Sequence, residues 1–531
     1  MKRILTGLVS AAALWTAACS SGGGQSIPPP PPAGAYSNAS LNGQYAFVTS
    51  GEVLTGTSFA SIARVGSFTA DGQGHITGGV EDVNAEGQVT NAVAITGGTY
   101  TVKADGRGFM NLILGQSSID FGIVLTSTND GLLIDETANT SQASTGSGNF
   151  IKQNSALFSV ASIAGPYVFD FAGLDASQQF GCPCNESLVG QFVASAGVIN
   201  PGTFDDNDNT TLIPNSSFTG TLATDGLNPQ EPITASGRGI ALIAGQNFVF
   251  YIVDSSRVRF ISTNGGMLSG DAVSQSNSIP ASLSAINSSF AFSVGGSSPN
   301  GGLTRVGRLT ASGSALSKML MDVNDATNEI QFNNLSNGSI TGYDPATGRG
   351  AFSFQDSNGT TYSFIFYLSS ANGGVIQDVS PSNTAGFARV IADGSILTQS
   401  GSPFTSSNIS GTYAMNWSGL VVASGTFQDE EDLLAQVTAS NLNLTGTGDI
   451  FQFTSANPVP QFDFGVAGSI TIAGDGTSSA SGQRNNMTVN LNNATPIHFV
   501  VYFVNPRLAF LANSDNNGTP RILTGILKAQ N

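Results

Sequence analysis

Apolar and polar residues alternate with period two along short stretches such as Gln44 to Val48 and Gly98 to Val102, the pattern of half-buried strands. Tight-turn dipeptides punctuate the chain: Asp71-Gly72, Asp105-Gly106, Asn264-Gly265, Asn337-Gly338, Asn372-Gly373 and Asp475-Gly476. Asp-Gly and Asn-Gly supply the positive φ angles of two-residue hairpins. A second kind of stretch is apolar without alternation: Phe248 to Tyr251, Phe364 to Tyr367, Phe499 to Tyr502 and, less purely, Asp120 to Leu125. Strands of that kind should be covered on both faces. Helical spacing is scarce, and Glu430 to Ala439 is the one segment that suits a helix.

The pattern repeats. Leu41-Asn42-Gly43-Gln44-Tyr45-Ala46-Phe47 returns as Ile163 to Phe169, Ile286 to Phe292 and Ile409 to Met415. The third position falls at 43, 165, 288 and 411, in steps of 122, 123 and 123. Val65-Gly66, Val189-Gly190 and Val306-Gly307 follow in the same order. So does an Asp with a polar residue two places on: Asp82/Asn84, Asp206/Asp208, Asp322/Asn324 and Asp429/Glu431. Gly-Arg-Gly recurs around Arg107, Arg238 and Arg349, whereas the fourth unit has Gly474-Asp475-Gly476 there and reads as the divergent copy. Each unit holds about eight short strands in sequential hairpins. The expected fold is therefore all-β: four tandem antiparallel meanders, each closing into an up-and-down barrel that hides its edges. A two-sheet sandwich is the alternative. The units span 39–160, 161–283, 284–406 and 407–531. Their Gly-x-Tyr openings and Asp-Gly turns resemble avidin- and lipocalin-like meander barrels.

Residues 1–38 differ in kind. Lys2 and Arg3 precede a short apolar stretch, Ile4 to Trp15, and small residues lead to Cys19. The stretch is a secretory signal in form, too short to span a bilayer. With Thr16-Ala17-Ala18 before the cysteine, it resembles the lipobox of bacterial lipoproteins, although that family usually has Leu where Thr16 stands. The resemblance implies cleavage after residue 18 and diacylglycerol modification of Cys19. Residues 20–38 form a tether, with a small-residue leader and five prolines from Pro28 to Pro32 that favour stiff polyproline II. The chain as a whole resembles tandem-repeat surface lipoproteins of soil bacteria, a resemblance that implies an address and no activity.

Composition narrows the possibilities. Of 531 residues, 18 are basic and 35 acidic, a net charge of −17 that argues against nucleic acid and against electrostatic docking on anionic lipid. The two histidines, His75 and His498, lie in different units without ligand spacing, so a zinc site or a Ser-His-Asp arrangement is not expected. The recurring Asp and Gly-Arg-Gly motifs suggest guanidinium–carboxylate pairs within each unit: Asp82 with Arg107, Asp206 with Arg238, and Asp322 with Arg349. Asp205, Asp206 and Asp208 form the densest acidic loop and are the candidate calcium ligands. Cys182 and Cys184 could close a local disulfide in an oxidising compartment.

These readings point to an exported protein, lipid-anchored to the outer membrane or cell surface, that binds or scaffolds without catalysis. Its ligand would be a surface glycan or protein, and the membrane would be reached through the anchor alone. Carriage of a small apolar molecule inside the barrels is the first alternative and polysaccharide hydrolysis the second. The many phenylalanines favour filled barrels.

Overall fold

The computed structural model describes residues 36–531 apart from 56–57, 139–142, 176–184, 209–210, 226–232, 265, 326–328, 333–334, 385–386, 424–425, 454–459, 474–483, 493–494 and 516–520. Four antiparallel eight-stranded barrels follow one another, their strands running over 42–152, 165–274, 289–398 and 411–529. In barrels 1 and 3 the fourth strand is broken in two, as Gln88–Ile95 with Gly97–Val102 and Glu329–Phe332 with Ser336–Asp344. Glu430 to Ala439 forms no helix. It lies in the strand Thr426–Ser440, because Leu433 and Ala435 fill barrel 4 while Leu434 packs against barrel 1. Demand for burial on two faces overrides helix propensity there.

Each barrel is filled by aromatic and aliphatic side chains. Phe47, Phe68, Phe121 and Phe150 occupy barrel 1, and Phe169, Phe171, Phe248 and Phe260 occupy barrel 2. The glycine of the Val-Gly motif makes room for the first strand's phenylalanine. A Cβ on Gly66, Gly190 or Gly307 would lie 2.6, 2.5 or 2.5 Å from the ring of Phe47, Phe169 or Phe292. In barrel 4 both partners change together, to Met415 and Ala435.

The strands without polar alternation serve two cores. In Gln246–Asp254, Phe248, Phe250 and Ile252 point into barrel 2, whereas Val249, Tyr251 and Val253 join Ala46, Val48 and Val65 of barrel 1. Similar apolar seams join barrel 2 to 3 (Val168, Val189, Ile365, Tyr367), 3 to 4 (Ala291, Val306, Val500, Tyr502) and 4 back to 1 (Val124, Leu132, Ala414, Leu434). The barrels thus form a closed ring of pseudo-fourfold symmetry. The early strands of each unit pack on the late strands of the next, and unit 4 packs on unit 1.

Candidate functional site at the barrel seams

The motif arginines open the fifth strands, with their side chains on the outside of the barrel, and each meets an aspartate of the preceding unit. Asp82 accepts from Arg238 Nε and Nη2, both at 2.8 Å, and from the Tyr251 hydroxyl at 2.6 Å. Asp205 accepts from Arg349 Nε at 2.7 Å and Nη2 at 2.6 Å, and from Tyr367 at 2.6 Å. Asp322 accepts from Arg484 Nε at 2.8 Å and Nη2 at 2.6 Å, and from Tyr502 at 2.6 Å. At the closing seam Arg107 reaches unit 4, with Asp463 at 2.7 Å and Asp449 at 3.7 Å. Val124 faces Arg107 there where the other units have tyrosine.

The expected pairs Asp82/Arg107, Asp206/Arg238 and Asp322/Arg349 are therefore corrected: the motif aspartates pair with the arginine of the next unit, while within a unit Arg238 also meets Asp225 at 2.6 Å and Arg107 meets Asp105 at 3.1 Å. Strand alternation explains the shift from Asp206 to Asp205. Asp205 lies opposite Val189 and faces outward, as Asp82 does opposite Val65, while Asp206 lies opposite Leu188 and faces into the barrel. Unit 4 does carry the arginine, as Arg484, and its motif aspartate is Asp449 opposite Leu434. Burial alone would lower the pKa of Arg238, and Asp82, followed by Tyr251 and Asp225, together reverse this. The Tyr367 and Tyr502 hydroxyls are pushed well above their ordinary range by burial, and next by the adjoining aspartates, so they donate as neutral phenols.

Two further devices repeat at the seams. Two residues past the aspartate, Asn84 donates to the Ser262 and Gly266 carbonyls at 3.0 and 2.7 Å, and Asn207 to those of Asp378 and Val390 at 3.0 and 2.8 Å. Asn324 does the same to Asn513 and Arg521 at 3.2 and 2.7 Å. In unit 4 this place is held by Phe451, which packs with Leu54 and Ala143 of barrel 1. A glutamine just past each eighth strand also crosses to the next unit. Gln153 donates to Ser236 and Ile252, Gln275 to Thr347 and Leu368, Gln399 to Phe503, and Gln530 to Asp105 and Leu125. These glutamines recur at nearly the repeat period and could have been read from the sequence.

The other candidate residues are placed as follows. Asp205 faces barrel 3 while Asp206 and Asp208 face into barrel 2 beside Glu186, so the three proposed calcium ligands do not converge. Among the described residues, no group of three His, Cys, Asp or Glu could hold a metal ion. His75 Nδ1 lies 2.8 Å from Asp71 and His498 Nδ1 2.6 Å from Asp515, both at strand ends. Cys19, Cys182 and Cys184 lie outside the described residues. Inside barrel 1, Arg64 contacts Glu81 at 3.3 Å and Asp135 at 3.7 Å, and burial pushes Glu81 up to about 7. In barrel 4, Arg521 and Trp417 bond Glu431. Barrel 2 places Glu186 and Asp206 at this end, pushed up to about 8 and about 7, first by burial and next by neighbouring carboxylates.

No family model matches the chain, and no curated protein matches it. Among solved structures it is similar to transferrin binding protein B of Haemophilus parasuis, at 11% identity and a TM-score of 0.19 over 80% of this chain and 85% of that one. It is likewise similar to transferrin binding protein B of Neisseria meningitidis, at 11% identity and a TM-score of 0.19 over 77% of this chain and 87% of that one. A likeness this loose carries over neither an arrangement of barrels nor a ligand.

Proposed function

We propose that the protein is a cell-surface lipoprotein, tethered through Cys19, whose rigid ring binds an extracellular glycan or protein along its outer rim without catalysis. One observation carries this reading. Among the described residues, the large apolar side chains left exposed, Phe109, Ile113, Val198, Ile213, Ile240, Leu242 and Phe462, all lie on third, fourth or fifth strands. Earlier and later strands are spent on seams. On barrel 2, Val198 and Leu242 flank Thr221 across three adjacent strands, with Ile240 beside them. Exposed apolar groups gathered on one face mark an interaction surface more often than scattered ones do. Packed phenylalanine interiors weigh against carriage of an apolar ligand inside the barrels.

The test has two arms. Radiolabelled palmitate should enter the wild-type chain in cells and be absent from Cys19→Ser. On glycan and extracellular-protein arrays, the Ile240→Asp/Leu242→Asp double variant should lose at least about tenfold in binding, a difference of roughly 1.4 kcal/mol, with its melting temperature kept. Retained binding would move the contact face off barrel 2.

A further inference from the structure

Equivalent residues occupy equivalent seams in the ring, so each seam has three internal references. Where barrel 4 meets barrel 1, Asn416 Nδ2 donates to Ser147 Oγ at 3.2 Å, and Ser147 Oγ donates to Asp432 Oδ1 at 2.8 Å. Where barrel 2 meets barrel 3, the same three places hold other chemistry. Asp170, three residues past Tyr167, stands where Asn416 follows Tyr413. Ser187, two before Val189, stands where Asp432 precedes Leu434. Asp393, five before the strand partner of Phe290, stands where Ser147 precedes the partner of Tyr45. The amide donor has become a carboxyl, and a second carboxyl has replaced the hydroxyl.

Asp170 and Asp393 are 5% and 6% exposed. Their carboxyl groups face each other across the seam, each acting on the other's protonation, and Ser187 adjoins Asp393. Neither oxygen of Asp170 meets an N–H or O–H donor. The other charges packed around the pair are already engaged. Asp271, the strand partner of Asp170, takes Arg257 at 3.0 Å and Arg259 at 3.7 Å, and Arg259 also bonds Asn149. From barrel 3, Gln377 gives its amide to Ser187 and Asp378 pairs with Arg305 inside the barrel. Two ionised carboxylates cannot share such a site, whereas one proton between them restores the donor that Asn416 supplies elsewhere.

We propose that Asp170 and Asp393 share one proton across the seam between barrels 2 and 3, and that losing it above neutral pH loosens that seam, a pH-sensitive latch in the ring. Burial raises both groups: Asp393 is pushed up to about 7, and Asp170 well above its ordinary range, with the Asp393 charge as the next cause. The corresponding places in the other units hold Val48, Ser293 and Asn416, and Ser147, Ser269 and Thr524. None of these is a carboxyl, so carboxyls at both of these places occur at this seam alone, while the seam between barrels 4 and 1 carries its buried carboxyls, Asp432 and Glu430, elsewhere.

Hydrogen exchange of the full chain, corrected for the intrinsic rate, tests the latch in peptides covering 163–174 and 387–398. Between pH 6 and 8.5 the wild type should gain at least about tenfold in opening across this seam, as a proton held one or more pKa units above pH 6 is lost. Asp170→Asn, which copies Asn416, should keep the seam closed at both pH values. Should that variant not fold, Asp393→Ser, which copies Ser147, makes the same comparison. An equal pH response in wild type and variant would overturn the proposal. So would closure of the wild-type seam at pH 8.5 by calcium and its reversal by EDTA, since a cation and not a proton would then hold the pair.

Discussion

Arg238 and Asp82 are each 1% exposed in their side chains and bonded through two parallel N–H···O contacts. Removing one partner strands the other charge in a buried seam, so Arg238→Met is expected to cost about 3–5 kcal/mol in denaturant unfolding. Arg238→Lys should recover little, because a point charge cannot reproduce the fork. Double replacement by Asp82→Leu/Arg238→Met should return only part of the loss, because Asp225 still loses its 2.6 Å contact with Arg238, and a coupling energy near zero in that cycle would refute the pairing. A second residue-level prediction uses the covariation in barrel 4. Gly190→Ala alone should cost about 1–3 kcal/mol, since the added Cβ collides with Phe169. Adding Phe169→Met, which recreates the Met415 and Ala435 arrangement, should relieve part of it. Asp82, Asp322 and the arginines of units 1 to 3 were legible in the sequence as recurring motifs, whereas Asp205, Asp449 and Arg484 were not. Nor were the partners, because Asp205 and Asp206 are adjacent and differ only in which face the strand turns outward.

At the scale of the strand, runs without polar alternation signalled cover on both faces, and Phe364 to Tyr367 shows why. Phe364 and Phe366 fill barrel 3, while Ile365 and Tyr367 lie against barrel 2. Buried carboxyls on second and third strands set the response to pH. Glu81 and Asp206 are raised to about 7 and Glu186 to about 8, chiefly by burial. A carboxyl raised in the folded state holds its proton more tightly there than when unfolded. Its stability is therefore full below its unfolded pKa of about 4 and is lost as pH rises through the folded value. Melting temperature should fall between about pH 5 and 8.5, and Glu186→Gln should flatten the slope. A melting temperature that rises over this range would contradict the burial of these groups. The Thr426–Ser440 strand marks the limit of reading by propensity, since its Glu, Leu and Ala favour helix until two neighbouring cores claim its two faces.

At the scale of the molecule, a head-to-tail contact repeated through four copies closes on itself when its rotation fits a circle. Here the copies are fused, and only the seam from unit 4 to unit 1 lacks a connecting chain. That seam ends with the Tyr36 hydroxyl 2.8 Å from the Asn531 carbonyl oxygen. A circular permutant that joins residue 531 to residue 36 and opens between the exposed Asn277 and Ser278 should melt within a few degrees of the original order. A large loss would mean that the closing seam holds less than the other three. The repeat period, the all-β fold and the places that recur were written in the sequence, because local turns and alternation depend on neighbours along the chain. Which barrel each recurring residue touches was decided only by closure of the ring. Pairing across a seam joins positions more than one hundred residues apart, and no periodicity within one unit distinguishes a partner in the same barrel from its counterpart in the next.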